Sequence, residues 1–148
     1  YIILKSMPYL KHLNSEIRTG RHCVFNIHVH LVFVTKYRRK VFETQHITAL
    51  NEIFKSICEK FDASLEECNG EDDHVHLLIN YPPKVPVSKL VNNLKTVSSR
   101  MLRKKYPDIS NRYFKNVLWT PSYFASSCGG APLSIIRKYV QSQQIINQ

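Results

Sequence analysis

Two histidines separated by one residue stand near the middle of the chain, in the segment DHVHLLI. The apolar run from His74 to Ile79 predicts a strand. Residues two apart on a strand project to the same face, so His74 and His76 would present two imidazoles side by side. Neutral imidazoles are common ligands of divalent metals. His28 and His30 have the same spacing on an earlier predicted strand, so the pattern alone does not say which pair, if either, binds a metal.

A tyrosine and a glutamine lie four residues apart near the end of the sequence. Apolar spacing from Pro132 onward predicts a last helix, on which Tyr139 and Gln143 share one face. A deprotonated phenol is a nucleophile, and an amide oxygen can bind a hard cation, so this pair could serve covalent chemistry beside a metal. The commoner role of such a tyrosine is packing in the core with its hydroxyl at the surface.

The four cysteines show no C-x-x-C pair, which argues against a zinc ribbon and against a disulfide framework. They are Cys23, Cys58, Cys68 and Cys128. We expect them to be reduced and mostly buried. A weaker alternative is a zinc ion bound by Cys68, His74 and His76, for which no fourth ligand stands at a familiar spacing.

Positive charge is in excess and is clustered along the chain. Lys and Arg number 21 against 11 Asp and Glu, giving a formal charge of +10. Such a field attracts polyanions, so nucleic acid is the leading partner class. The expected DNA-binding residues are Lys36, Arg38, Arg39 and Lys40 in one cluster and Arg100, Arg103 and Lys104 in another. Tyr37, Tyr106 and Trp119 are interleaved with this charge and could stack on bases, although packing is the commoner role of each.

The hydrophobic pattern predicts an α+β fold. In chain order we expect a strand over 23–35, a helix over 44–61, strands over 64–68 and 74–79, a helix from about 90 to 106, a strand over 123–128 and a helix from 132. The Asn69-Gly70 pair and the acidic residues after it predict a hairpin turn, and 108–121 is predicted to be irregular. This order is typical of a ferredoxin-like sandwich, an antiparallel sheet with helices on one face, followed by a C-terminal helix.

Length and composition predict one cytoplasmic domain. With 148 residues and 43% hydrophobic content, the chain can form a single core. We divide it into an N-terminal extension at 1–21, of which the part before Met7 could be vector-derived, and one domain at 22–148. We see neither a membrane helix nor a signal peptide in the sequence.

Five segments together resemble the TnpA-type HUH single-strand transposases of the insertion-sequence 200/605 group, where HUH denotes two histidines around a hydrophobic residue. They are LVFVTKYRRKVF (31–42), DHVHLLI (73–79), LKTVSSRMLRKKYP (94–107), LWTPSYFASSCGGAP (118–132) and IIRKYVQSQ (135–143). The resemblance covers nearly the whole chain from His22 onward. Each segment is modest alone, but five in the right order and spacing are specific.

The resemblance implies a transposase with a definite site. His74 and His76 would bind Mg²⁺ or Mn²⁺, Gln143 would be its third protein ligand, and Tyr139 would attack single-stranded DNA to form a 5′-phosphotyrosine intermediate. It further implies recognition of DNA hairpins and a homodimer in which one subunit's last helix supplies its tyrosine to the other's histidines. Gly129 and Gly130 would be the hinge of that helix.

Three other functions are alternatives to this one. A noncatalytic nucleic-acid-binding module on a ferredoxin-like scaffold should carry a glycine-containing RNP1 pattern, which does not occur in this sequence. A metal-free two-histidine phosphoesterase should carry Ser or Thr two residues after each histidine, where His28 and His74 are each followed by His. A domesticated relative that processes chromosomal repeats would use the same chemistry, so it stays open.

Overall fold

The fold is built around an antiparallel sheet. A computed structural model describes residues 17–127 and 133–146. The sheet contains β3 (His28–Val34), β4 (Ser64–Gly70), β5 (His74–Asn80) and β6 (Phe124–Ser127), in the spatial order β4-β5-β3-β6. A separate two-stranded sheet pairs β1 (Arg18–Thr19) with β2 (Val24–Phe25). The helices are α1 (Thr44–Lys60), α2 (Val87–Lys105), α3 (Pro107–Ser110) and α4 (Leu133–Ile146).

This topology confirms the predicted α+β sandwich. The main strands and helices follow one another in the expected order, and each neighbouring pair in the four-stranded sheet is antiparallel. The predicted hairpin is present between β4 and β5, but Asn69 and Gly70 belong to β4, and Glu71 to Asp73 form the connection. The division into 1–21 and 22–148 stays a prediction. Among the described residues, no helix combines the length and apolar character needed to cross a membrane.

The first predicted strand is wrong in one respect, because the segment 23–35 divides in two. β2 pairs with β1, whereas β3 lies in the main sheet, and Asn26 and Ile27 connect them. The carbonyl of Ile27 accepts a hydrogen bond from the amide of Tyr81 at 3.0 Å. The chain therefore changes strand partner there, although the segment is rich in apolar residues on both sides of the break. The segment 108–121 is also more ordered than predicted, since α3 begins at Pro107.

Strand β3 is buried on both faces, and this gives the molecule two layers of apolar contact. Val29, Leu31 and Phe33 belong to the main core, together with the apolar residues of α1 and α2. Val32 and Val34 project to the opposite face and pack against Ile136 and Val140 of α4. Because side chains alternate along a strand, every even-numbered residue of β3 and β5 lies on the face that α4 covers. That face carries the candidate site.

Candidate active site

His74 and His76 lie together on β5, as the spacing predicted. They pair across the sheet with Val34 and Val32, so both imidazoles lie on the face covered by α4. The two Nε2 atoms are 3.0 Å apart. Two nitrogen ligands at right angles on one cation, each about 2.1 Å from it, would stand about 3 Å apart. The pair therefore fits a divalent cation with little rearrangement.

Asp73 fixes the orientation of the first of these rings. Its Oδ1 accepts a hydrogen bond from Nδ1 of His74 at 2.6 Å, and its Oδ2 accepts one from Nε of Arg38 at 3.0 Å. Burial acts to raise the pKa of Asp73, but the hydrogen bonds and charges of His74 and Arg38 hold that pKa below its usual value. The carboxylate is thus ionised and keeps the His74 proton on Nδ1. This leaves the Nε2 lone pair available to a cation.

His76 is held in the neutral form by its surroundings. Burial lowers its pKa to about 4, and the neighbouring charges of His74 and His30 act in the same direction. The rings of His30 and His76 are stacked, with centroids 5.8 Å apart. At neutral pH the His76 imidazole is therefore unprotonated, as a metal ligand must be.

A second arrangement of possible ligands lies beside this pair. Ligand atoms of Glu71, Asp73 and His74 are within 4.8 Å of one another. The Asp73 carboxylate, however, is already engaged by Arg38 and by Nδ1 of His74. A cation there would have to displace both groups, so the Nε2 pair is the better site.

The histidine pair opens onto a cavity of 430 Å³ beneath α4. Its lining includes Arg38, Lys40 and the β4–β5 turn on one side and Ile136, Arg137, Val140 and Gln141 of α4 on the other. The lining is mostly polar or charged, and it contains the basic Arg38, Lys40 and Arg137, which suit a phosphate, beside the acidic Glu71, Asp72 and Asp73. Tyr139 and Gln143 are not among the described residues that line this cavity.

Tyr139 and Gln143 converge instead on Ser122. The Tyr139 hydroxyl lies 2.8 Å from Oγ of Ser122, and that same Oγ donates to Oε1 of Gln143 at 2.8 Å. Gln143 is buried and Tyr139 half-buried, with the phenol ring near Phe124 at a centroid distance of 5.8 Å. Burial raises the pKa of Tyr139, and hydrogen bonds from Ser122 and Thr120 partly oppose this. The structure thus forms two pairs, the histidines at the cavity and Tyr139 with Gln143 at Ser122.

With this geometry in hand, comparison with known proteins decides the family. The family model "Transposase IS200 like" matches residues 23–143. The chain belongs to the IS200-like transposase family. It is 31% identical over 122 residues to the transposase of insertion sequence element IS200 from Salmonella typhimurium, covering 82% of this chain and 80% of that protein. It is 29% identical over 131 residues to the ISDra2 transposase TnpA of Deinococcus radiodurans, covering 88% and 94%.

Solved structures agree with this membership. A putative transposase from Deinococcus radiodurans superimposes with a TM-score of 0.78 and 27% identity, over 85% of this chain and 97% of that one. A REP-associated tyrosine transposase bound to a REP hairpin is similar at a TM-score of 0.53 and 13% identity, over 83% and 67%, which shows the fold alone. Membership in a transposase family implies an enzyme that cleaves and transfers DNA strands.

Other candidate ligands of this IS200-like transposase lie elsewhere. The zinc alternative is wrong, because Cys68 pairs with Leu77 and packs against the main core, on the face opposite the histidines. His28 lies at the far end of β3, where its Nε2 is 3.5 Å from Nδ2 of Asn80. Cys58 is buried and Cys68 partly buried, but Cys23 is exposed, contrary to expectation. Cys128 and the proposed hinge, Gly129 and Gly130, fall outside the described residues.

The basic residues of the first cluster have separate environments. Arg38 binds Asp73, and Lys40 lines the cavity below α4. The Tyr37 ring is 45% exposed, with Nζ of Lys36 at 5.3 Å from its centroid and the guanidinium of Arg39 at 5.1 Å. Tyr37 has a positive φ of 61°, a strained value for a tyrosine. An exposed ring beside two cations, on a strained turn, is accessible for stacking on a base.

The second basic cluster lies on α2, away from the histidines. Arg100 and Lys104 line a groove between α1 and α2, together with Tyr106. Arg103 lines a different cavity, and its Nε donates to Oγ of Ser99 at 3.1 Å. Trp119 is buried in the main core, which leaves Tyr37 as the more accessible of these two aromatic residues.

Sequence reasoning missed three residues around the site. Asp73 had a usable signal, since it directly precedes the first histidine. Ser122 and Lys95 had none, because their importance comes from contacts between segments distant in the sequence.

Proposed function

We propose that this transposase cuts and rejoins single-stranded DNA at insertion-sequence ends, through a covalent 5′-phosphotyrosine on Tyr139. His74, His76 and Gln143 would be the protein ligands of Mg²⁺ or Mn²⁺. The observation that carries the proposal is the 3.0 Å approach of the two histidine Nε2 atoms, with the Asp73 carboxylate behind the first ring. Two imidazoles held in this way have the form of a metal site with its outer hydrogen bond already made.

The donor set suits these ions and leaves room for substrate. Two nitrogen atoms and one amide oxygen would fill about half of an octahedral coordination sphere. Mixed nitrogen and oxygen ligation is acceptable to Mn²⁺ and to Mg²⁺. A bound cation would withdraw charge from the nonbridging phosphate oxygens and stabilise the departing 3′ oxygen.

The bond changes follow from the residues of the chain. Tyr139 loses its phenolic proton to water, and its oxygen attacks the phosphorus of the DNA backbone. The bond from phosphorus to the 3′ oxygen breaks, and that oxygen takes up a proton to become a 3′-OH. The 5′-phosphate stays on the tyrosine. Because a phenolate is a better leaving group than a sugar alkoxide, a 3′-OH can later displace Tyr139 and rejoin the strand without ATP.

The separation of the two pairs supports a homodimer with shared active sites. Tyr139 and Gln143 contact Ser122, just before β6, and neither is among the described residues that line the cavity of the histidines. In the proposed dimer, the tyrosine and glutamine of one subunit complete the histidine pair of the other. Gly129 and Gly130 remain the proposed hinge for this exchange.

The DNA partner is proposed from charge and family. Lys36 and Arg39 flank the exposed Tyr37, and Lys40 lines the cavity, so a strand crossing this surface would meet phosphate ligands and a stacking ring. Arg100, Arg103 and Lys104 would hold phosphates farther away. Recognition of hairpin ends rests on the resemblance of the sequence. A domesticated enzyme that processes chromosomal repeats would share all of this chemistry and differ only in the DNA it selects.

The test is adduct formation on labelled single-stranded DNA that carries a hairpin, with Mn²⁺ or with chelator. We expect a denaturant-resistant adduct with metal only, and none in Tyr139→Phe or His76→Ala. The matched control is His28→Ala, which removes the first histidine of the other His-x-His pair, on β3, and should keep the adduct. Full adduct formation in His76→Ala would overturn the metal site. DNA binding without any adduct in the wild type would favour the noncatalytic module.

A further inference from the structure

Lys95 of α2 is tied to the loop that precedes β6. Its Nζ donates to the carbonyl oxygens of Thr120 at 2.7 Å, Pro121 at 3.2 Å and Ser122 at 2.9 Å. An ammonium has three hydrogens, so these contacts use its full donor capacity. Burial lowers the pKa of Lys95 to about 8, which reflects how far the ammonium is withdrawn from water. Such a charged group with three acceptors fixes the loop more firmly than neutral hydrogen bonds would.

The Ser122 hydroxyl of this loop contacts two side chains of α4. Oγ of Ser122 is 2.8 Å from both the Tyr139 hydroxyl and Oε1 of Gln143. The Gln143 carboxamide is oriented with its nitrogen toward Ser142, since Nε2 donates to Oγ of that residue at 3.3 Å. Its oxygen can only accept, so the single Ser122 proton points to Gln143. The Tyr139 proton must then point to Ser122.

The backbone around this serine is anchored on its other side as well. The amide of Thr120 donates to the carbonyl of Val34 at 2.8 Å, and its buried hydroxyl donates to the carbonyl of Ser122 at 3.3 Å. Lys95 and Thr120 therefore place the Ser122 hydroxyl, and that hydroxyl places the phenol. A continuous set of contacts runs from α2 to the oxygen that would attack DNA.

We propose that Ser122 and Lys95 are positioning residues for Tyr139, with Lys95 acting through Ser122. The inference rests on the proposed function, because that function makes the Tyr139 hydroxyl oxygen the nucleophile. All three residues belong to one chain, and the contact applies to the present position of α4, in which the phenol would meet the histidine pair of the partner subunit. Attack on phosphorus requires the oxygen to lie in line with the leaving group, and a phenol without its hydroxyl partner samples more orientations.

The experiment measures single-turnover adduct formation at saturating hairpin DNA with Mn²⁺, alongside DNA affinity in chelator and the thermal midpoint. We expect Ser122→Ala and Lys95→Met each to slow adduct formation by about tenfold or more, with DNA affinity unchanged. Ser122→Thr, which keeps a hydroxyl, should recover most of the rate. Matched controls are Ser126→Ala on β6 and Lys89→Met on α2, which should keep the wild-type rate.

The double variant decides whether the two residues act in series. If Lys95 acts through Ser122, Ser122→Ala combined with Lys95→Met is no slower than the slower single variant. If the losses in adduct-formation rate of the two single variants multiply in the double variant, Lys95 does not act through Ser122. Wild-type rates in both single variants would overturn the inference. In either case, loss of the adduct in Tyr139→Phe would leave the proposed function standing. An adduct in Tyr139→Phe would instead refute the proposed function.

Lys95→Arg keeps the positive charge should Lys95→Met fail to fold, and it should retain more of the adduct-formation rate.

Discussion

The carboxylate of Asp73 and the imidazole of His74 are adjacent in sequence and joined by a 2.6 Å hydrogen bond between Oδ1 and Nδ1. Arg38 holds the other carboxylate oxygen, so the ring is oriented by a charged pair. A metal-binding histidine usually has such a partner on its second nitrogen.

Replacing Asp73 with asparagine should therefore weaken metal binding. The amide cannot act as a charged acceptor for Nδ1–H, and loss of an outer-shell carboxylate typically costs about 10- to 100-fold in metal affinity. The measurement is Mn²⁺ affinity by calorimetry. Asp72→Asn is the control, because that neighbour is exposed and its backbone contacts stay intact. Equal Mn²⁺ affinity in Asp73→Asn and wild type would show that the carboxylate does not support the ligand.

The neutral state of His76 predicts a pH-dependent stability of the metal-free protein. Its folded pKa of about 4 lies below the ordinary histidine value of 6.5, with burial as the main cause. Between these values the unfolded chain binds a proton that the folded chain does not, so stability is greatest above pH 6.5 and falls toward pH 4. At pH 5 this one residue should lower the free energy of unfolding by about 1 to 2 kcal/mol.

Urea unfolding at pH 7 and pH 5, in chelator, checks this expectation. His76→Gln should show a smaller loss between the two pH values than wild type. His22→Gln is the comparison, since that histidine is exposed and should leave the slope unchanged. An equal slope in wild type and His76→Gln would mean that His76 titrates normally in the folded protein.

The proposed sharing of active sites between subunits predicts complementation between inactive variants. Tyr139→Phe and His76→Ala should each be inactive alone. A mixed dimer of the two has one site with both an intact tyrosine and an intact histidine pair, so mixing should restore up to about half of wild-type activity per active dimer. Adduct formation after co-refolding or co-expression is the readout. Continued inactivity, in a sample shown to contain the mixed dimer, would place the tyrosine beside its own chain's histidines.

The exposed Tyr37 predicts a contribution to DNA affinity. Its ring lies close to both Lys36 and Arg39, and stacking on one base is worth about 1 to 3 kcal/mol. Tyr37→Ala should weaken single-stranded DNA binding about tenfold, with little change in adduct formation at saturating DNA. Fluorescence anisotropy measures the affinity. Phe114→Ala removes a fully exposed ring elsewhere on the surface, and the DNA affinity of this variant should not change. A similar loss in both variants would indicate a nonspecific effect.

Local pattern was enough to predict much of this fold. The helical stripe of α1 and the period of two in β5 are set by residues close in sequence, and both are present as expected. The break between β2 and β3 was not predictable, because it depends on which distant strand each half pairs with.

The candidate site could likewise be predicted only where it depends on residues close in sequence. The adjacency of His74 and His76 follows from strand geometry, and that of Tyr139 and Gln143 follows from helix geometry. Where α4 lies on the sheet is a tertiary property, so the distance between the two pairs could not be read from spacing. The role of Ser122 depends on three segments that meet only in the folded chain.

The proposed reaction requires that Tyr139 becomes covalently joined to a DNA 5′-phosphate. The most direct measurement is mass spectrometry of the protein after reaction with single-stranded hairpin DNA and Mn²⁺, followed by nuclease and protease digestion. We predict a nucleotide joined through its 5′-phosphate to the peptide that contains Tyr139, and a free 3′-OH on the released strand. A nucleotide on any other residue, or cleavage products without a covalent peptide, would contradict the account.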